Sequence, residues 1–321
     1  MSEENKKYSI GGSALMEGIM MIGPKGVGMS LRMPDGSIET QLKKQTMLKD
    51  KHKIARIPFI RGPINFVDQM IFTYKCMMES AEKTSMDIED GGEENMSKLD
   101  KWLTDHFGPK MMTVIGVISA VLGFALAFLL FVWLPSLLAD GLETLLKTDI
   151  TKYKPLIEGV VRGILFVLYM LAVSYMKDIR RVFMYHGAEH KSIFCYEKGL
   201  PLTVENARIQ PKHHPRCGTS FLFVVIVVSI LCSSIVFSYV NWQNLWVRVA
   251  MHLLLLIPVV GVTYEFNRFV GRHDNAVTRI LSAPGMWLQN FTTNEPDDSM
   301  LEVAIEALKL VLPEEQGKDA W

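Results

Sequence analysis

His186 and His190 stand four residues apart in the stretch His186-Gly187-Ala188-Glu189-His190. This is the H-x-x-E-H spacing of an inverted metalloprotease motif. On a helix the two imidazoles share a face and can reach one ion. Glu189 sits beside the second histidine, where a carboxylate can act as general base on water at a metal. A second cluster, His213-His214-Pro215-Arg216-Cys217, follows and adds two imidazoles and a thiol. Soft and borderline donors of this kind suit zinc.

Two ligand sets compete. His186, His190, one of His213 or His214, and Cys217 would fill a tetrahedral shell, and a closed shell is structural. Alternatively His186 and His190 with a third carboxylate leave one position open for water, and Glu265 is the candidate carboxylate. The other reading of Glu265 is an ion pair with Arg268, three residues on. Arg216 or Lys191 could stabilise developing negative charge.

The elements that must carry these residues are largely apolar. The chain has 321 residues, 49% hydrophobic, with 34 basic and 34 acidic side chains. A net charge of zero offers no electrostatic footprint for nucleic acid. Cys76, Cys195, Cys217 and Cys232 have no convincing pairing, so a disulfide framework is not expected. The first residues lack the apolar core of a cleavable signal peptide, which leaves insertion to internal segments.

Four segments suit transmembrane helices of the ~20 residues a bilayer requires: Met111 to Leu138, Leu156 to Met176, Phe221 to Val240, and Leu245 to Tyr264. Glu158 and Arg162 enter the second with pairing spacing. His252 lies mid-way along the fourth, too deep for the metal cluster, and reads as a packing residue. The stretch 177–219 carries eight Lys or Arg. By the positive-inside rule it is a cytoplasmic metal-site loop, with both termini on the same side. A reducing cytosol would keep Cys217 available as a thiolate.

The remaining segments frame this core. Val27 to Met33 and Ser37 to Leu42 alternate around the turn Pro34-Asp35-Gly36-Ser37 and read as a small β-hairpin. The other glycines of residues 8–50 read as turn glycines, and Glu17 among them as a cap. Ile54 to Ala81 suits an amphipathic helix on the membrane surface or against the bundle, and 82–100 an acidic linker. Pro284 to Trp287 looks interfacial. Ser299 or Asp298 can cap a final helix to about Leu312, with Glu302 completing a box on Ser299. The expected architecture is a mainly α, polytopic membrane protein. It divides into a Gly-rich hairpin region (1–53), an amphipathic helix and linker (54–110), a four-helix membrane region (111–265) and a cytoplasmic C-terminal segment (266–321).

Several long motifs resemble the YqhQ-like family of bacterial integral membrane proteins. They are His186-Gly187-Ala188-Glu189-His190-Lys191, Leu202-Thr203-Val204-Glu205-Asn206-Ala207-Arg208 and His214-Pro215-Arg216-Cys217-Gly218-Thr219-Ser220-Phe221. Gly11 to Gly18 and Glu295 to Asp298 fit as well, so the resemblance runs from about Tyr8 to Leu312. It implies a bacterial inner membrane location, in a family of unknown function labelled a metal-dependent enzyme. Leu202 to Arg208 holds no ligand cluster and reads as a brace for the loop.

Three functions follow as expectations. The first is a zinc-dependent hydrolase cutting a membrane peptide or lipid at the cytoplasmic interface, with Glu189 as base. The second is a non-catalytic scaffold, assembly factor or translocation accessory, docked on a membrane protein partner or forming a homo-oligomer. The third, a transporter, has little support: intramembrane charges are few, chiefly Arg248 and His252, and no internal repeat is visible.

Overall fold

Four antiparallel strands, β1 (Gly11–Leu15), β2 (Gly18–Gly23), β3 (Gly26–Arg32) and β4 (Ile38–Lys43), lie side by side in chain order. The computed structural model that shows them describes residues 10–44, 55, 57–84, 111–150, 153–237, 245–273 and 275–313. The expected hairpin is β3–β4, with Arg32 opposite Ile38 and Val27 opposite Lys43. Its turn is fixed by Asp35, whose carboxylate accepts from Ser37 N at 2.9 Å. Gly36 there takes a left-handed φ of 82° that side chains resist.

β1 and β2 are a correction, because their glycines were read as turn glycines. Ile19, Met20 and Met21 of β2 are all fully buried, so this strand shows no alternation to betray it. One sheet face packs Leu15, Met20, Val27, Met29 and Leu31 against Cys76 of helix α1 (Arg61–Thr84). The opposite face packs Ile19 and Met21 against helix α5 (Lys177–Glu197) and a C-terminal helix, α10 (Asp298–Val311). The N-terminal, central and C-terminal segments thus share one core.

Helix α1 also lies along a membrane-type helix, Gly62 seating against Tyr264 and Gly261. It occupies the place expected for an amphipathic helix against the bundle. Residues 82–84 complete it, and the rest of the expected acidic linker lies outside the described residues.

The apolar part begins with α2 (Met111–Phe128), a π-helical turn (Leu129–Trp133) and α3 (Leu134–Leu146). It continues with α4 (Lys154–Ser174), α7 (Gly218–Phe237) and α8 (Leu245–Arg272). Among the described residues three helices are long and apolar enough to cross a membrane: Val121–Leu146, Lys154–Ser174 and Ala250–Val270. The expected third span is a shorter apolar helix, Phe221–Val236, and its connection 241–244 lies outside the described residues. Gly159 of α4 meets Ile230 of α7 with no room for a Cβ. Arg162 donates to Phe131 O at 2.7 Å and approaches His252 Nε2 at 3.4 Å, so His252 serves helix packing.

The stretch 177–219 that connects two apolar helices is itself helical over most of its length, as the His186–His190 spacing requires. Met176 takes an extended ψ of 130°, which separates α4 from α5. A short helix, α6 (Val204–Arg208), follows α5. Helix α9 (Ala276–Thr292) then precedes α10. The α10 cap is also corrected. Asp297 accepts from Met300 N at 3.0 Å, while Glu302 leaves the helix end to bind Arg32 at 2.7 Å.

Candidate metal centre

Helix α5 carries His186, Glu189 and His190 and is wedged between β1, α10 and the segment after α9. Tyr185 and Ala188 face the shared core, which turns the histidine face toward the chain before α7. The approach is close. A Cβ on Gly187 would lie 2.1 Å from Asn294 O, so only glycine lets this segment cross the helix here. Asn294 N donates to Phe183 O at 2.9 Å and pins the crossing.

Both imidazoles are oriented by backbone carbonyls. His186 Nδ1 lies 2.8 Å from Thr292 O, and His190 Nδ1 lies 2.5 Å from Lys212 O. A carbonyl can only accept, so each Nδ1 carries the proton and each Nε2 is left with its lone pair. His186 Nε2 lies 3.1 Å from Cys217 Sγ. His190 Nε2 is buried with no hydrogen-bond partner among the described residues. One ligand atom from each of His186, His190 and Cys217 lies within 4.8 Å of the others. Burial holds the His190 imidazole below its usual range, which keeps it neutral and fit to ligate.

The structure selects neither ligand set whole: it takes two histidines and the thiol, and omits the fourth imidazole and the carboxylate. His214 is close, its ring centroid 5.6 Å from that of His190, but its Nε2 faces Glu197 at 3.5 Å. Its backbone is clamped by Gln289, which accepts from His214 N and donates to His214 O, both at 2.8 Å. His213 stands outside the trio, its Nε2 buried without a partner among the described residues. Glu265 is a correction. Its carboxylate takes Arg61 Nε at 2.7 Å and Phe59 N at 3.3 Å, with Arg268 adding a favourable charge, so it anchors α1 to α8 rather than joining the histidines.

Glu189 is 5% exposed, and burial pushes its carboxyl up to about 7, against the opposing pull of His186. Cys217 raises it further and a backbone bond from Gly12 lowers it. A Cβ on Gly12 of β1 would lie 3.0 Å from Glu189 Oε1, so the glycine makes room for the carboxylate. Oε2 has no hydrogen-bond partner among the described residues.

The two cations suggested for charge stabilisation are engaged elsewhere. Lys191 donates to Arg208 O and Gln210 O, each at 2.9 Å, and pairs with Glu295 at 2.9 Å. Arg216 pairs with Glu197. The Leu202 to Arg208 segment braces its surroundings: Thr203 caps α6, and Arg208 Nε binds Asp298 at 2.9 Å. Glu17 sits in the β1–β2 turn with a left-handed φ of 50° and pairs with Arg181. Its carboxylate also accepts from Tyr185 OH at 3.2 Å, so it ties the turn to α5 rather than capping a helix.

Sequence reasoning missed Gln289. A fully buried amide must bond to something, and that rule was the available signal. Thr292 acts only through its carbonyl and left no signal of type.

The donor set fits a metal. Two fixed imidazoles with Nε2 inward and a thiol are the ligand types of zinc sites, and the backbone carbonyls on Nδ1 are the usual outer support. The buried His190 Nε2, without a hydrogen-bond partner among the described residues, is the atom that such an ion would satisfy.

Comparison with known proteins places the chain without assigning it an activity. Residues 57–314 match the family model described as "Protein of unknown function (DUF1385)". The chain is 32% identical over 314 residues to "Uncharacterized protein YqhQ" of Bacillus subtilis (strain 168), covering 97% of this chain and 95% of that protein. No solved structure matches. The match over most of both chains, together with the family model, means that the chain belongs to the YqhQ-like DUF1385 family.

Proposed function

We propose that His186, His190 and Cys217 hold a divalent ion, zinc by their donor types, and that the protein is a metal-dependent hydrolase. It acts at the cytoplasmic face of a bacterial inner membrane, on an amide or ester bond of a membrane peptide or lipid. One observation carries this reading: two imidazoles locked by backbone carbonyls converge with one thiol, and the buried Glu189 feels the charges of His186 and Cys217. Three protein ligands leave a position open, the arrangement of catalytic rather than structural zinc.

When bound, the ion supplies Lewis-acid polarisation and makes water acidic near neutral pH. Glu189 would accept the proton of the attacking water on Oε2, which has no hydrogen-bond partner among the described residues, and return it to the leaving group. Thr292 O and Lys212 O hold the two histidines in the tautomer that ligates. The eight basic residues of 177–219 support a cytoplasmic position for this region.

His214 favours a second reading. A ring rotation that brought its Nε2 to the ion would close the shell and make the site structural, in a membrane scaffold or translocation accessory. Turnover of fluorogenic membrane peptides and phospholipid esters by purified protein separates the two. Under the hydrolase reading Glu189→Gln retains zinc and loses turnover; under the scaffold reading the wild type turns over none of them and retains zinc only while His214 is intact.

A further inference from the structure

Helix α9 is built inside out. Its buried residues include Thr278, Ser282, Gly285, Gln289 and Thr292, small or polar side chains on one face. One outward face is apolar, with Val277 62% exposed, Ile280 72%, Leu281 40% and Trp287 51%, while Arg279 and Asn290 are exposed beside it. A helix on a water-facing surface shows the reverse pattern. Small and hydroxyl residues inward with aliphatic and aromatic residues outward is what a helix packed against another helix in lipid displays.

Three further features say that lipid covers this face. First, the helix satisfies its own polar groups, as a low-dielectric setting demands. Asn275 and Thr278 form a reciprocal cap, Thr278 N to Asn275 Oδ1 at 2.9 Å and Asn275 N to Thr278 Oγ1 at 3.1 Å. Inward hydroxyls bond back to the helix, Ser282 to Arg279 O at 3.2 Å and Thr293 to Gln289 O at 2.7 Å. Second, α9 packs along α7, an apolar helix whose own Leu222 and Leu231 are exposed in the same way. Third, Trp287 and the exposed Arg279 are the residue types that anchor a helix at the headgroup level. Seventeen residues extend about 25 Å, short of the ~30 Å hydrocarbon core, so α9 lies in one leaflet's boundary rather than crossing.

We infer that α9 is a lipid-contacting helix whose Val277, Ile280, Leu281 and Trp287 face enters the membrane boundary and seats the metal centre there. The link to the centre is direct. Gln289 clamps His214 and Thr292 O orients His186, so the end of this helix forms part of the site wall. The inference rests on the proposed membrane placement and not on hydrolysis, and it sharpens the substrate to one presented by the bilayer itself.

Quenching by brominated phosphatidylcholine tests it in the full chain reconstituted in vesicles. The emission difference between wild type and Trp287→Phe isolates Trp287, and Trp133→Phe does the same for Trp133 on a candidate span. The expected result is loss of the Trp287 signal in vesicles brominated at a shallow acyl position. If Trp133 is quenched and Trp287 is not, the spans are in lipid and α9 is not, which overturns the inference while sparing the membrane placement. A Trp287 signal unquenched by bromine but altered when protein is diluted in lipid also overturns it, by assigning the face to a second copy. Should Trp287→Phe fail to fold, Ile280→Trp adds an emission subject to the same two outcomes. Zinc content measured on the same samples reports the metal centre independently.

Discussion

His186 Nδ1 lies 2.8 Å from the carbonyl oxygen of Thr292, at the far end of a helix 106 residues later in the chain. That one bond sets the tautomer of His186 and aims its other nitrogen at Cys217. The centre therefore depends on residues that are not ligands.

Gln289 holds both polar groups of the His214 peptide inside a fully buried site. Gln289→Leu keeps the volume and strands an N–H and a C=O. A loss of about 1–3 kcal/mol for each buried group is expected, together with a roughly 10–100-fold weaker metal affinity. Chemical denaturation and zinc titration measure the two effects separately.

Gly187→Ala should disturb the same wall from the other side. The added Cβ meets Asn294 O at 2.1 Å, so the segment must move away from α5 and carry Thr292 O with it. A cost of about 1–3 kcal/mol is expected for this overpacking. Weaker zinc binding should accompany it, although no ligand has changed. Unchanged stability and affinity would show that the crossing is not tight.

Glu79 on α1 supplies a test of how the sheet is held, and it depends on pH. Its carboxylate is bound by Lys43 of β4 and by Lys83, and the Lys43 hydrogen bond, above all, lowers its pKa from the ordinary value of 4.5. A lowered folded pKa means that the unfolded chain takes up the proton first. The stabilisation is therefore present above 4.5 and is lost as pH falls through the lower folded value. Glu79→Gln should cost about 1 kcal/mol or less near neutral pH, the pair being partly exposed. The gap between variant and wild type should close on acidification, read by denaturation at several pH values.

Part of the site's geometry was legible in advance, and less of its support. The i,i+4 spacing of His186 and His190 requires only a helix to become a shared face, and α5 provides it. Cys217 was recognisable by residue type. The choice among His213, His214 and Cys217 was not, because the path of residues 198–217 is set by bonds such as Lys191 to Arg208 O and Gln289 to His214 O. Glu265 lay at the right end of its helix, but its carboxylate answers Arg61, a partner 204 residues earlier. Strand β2 escaped because Ile19 to Ile22 run apolar without a break, which removes the period-two signal that the alternation of β3 and β4 supplied.

The central claim is that three side chains hold one ion with a position left open, and the zinc content of the purified chain and its variants tests it most directly. Elemental mass spectrometry should find stoichiometric zinc in wild type, its loss in both His186→Ala and Cys217→Ser, and its retention in His214→Ala and Glu189→Gln. Wild-type protein without stoichiometric metal, or zinc that survives in both His186→Ala and Cys217→Ser, would contradict the account.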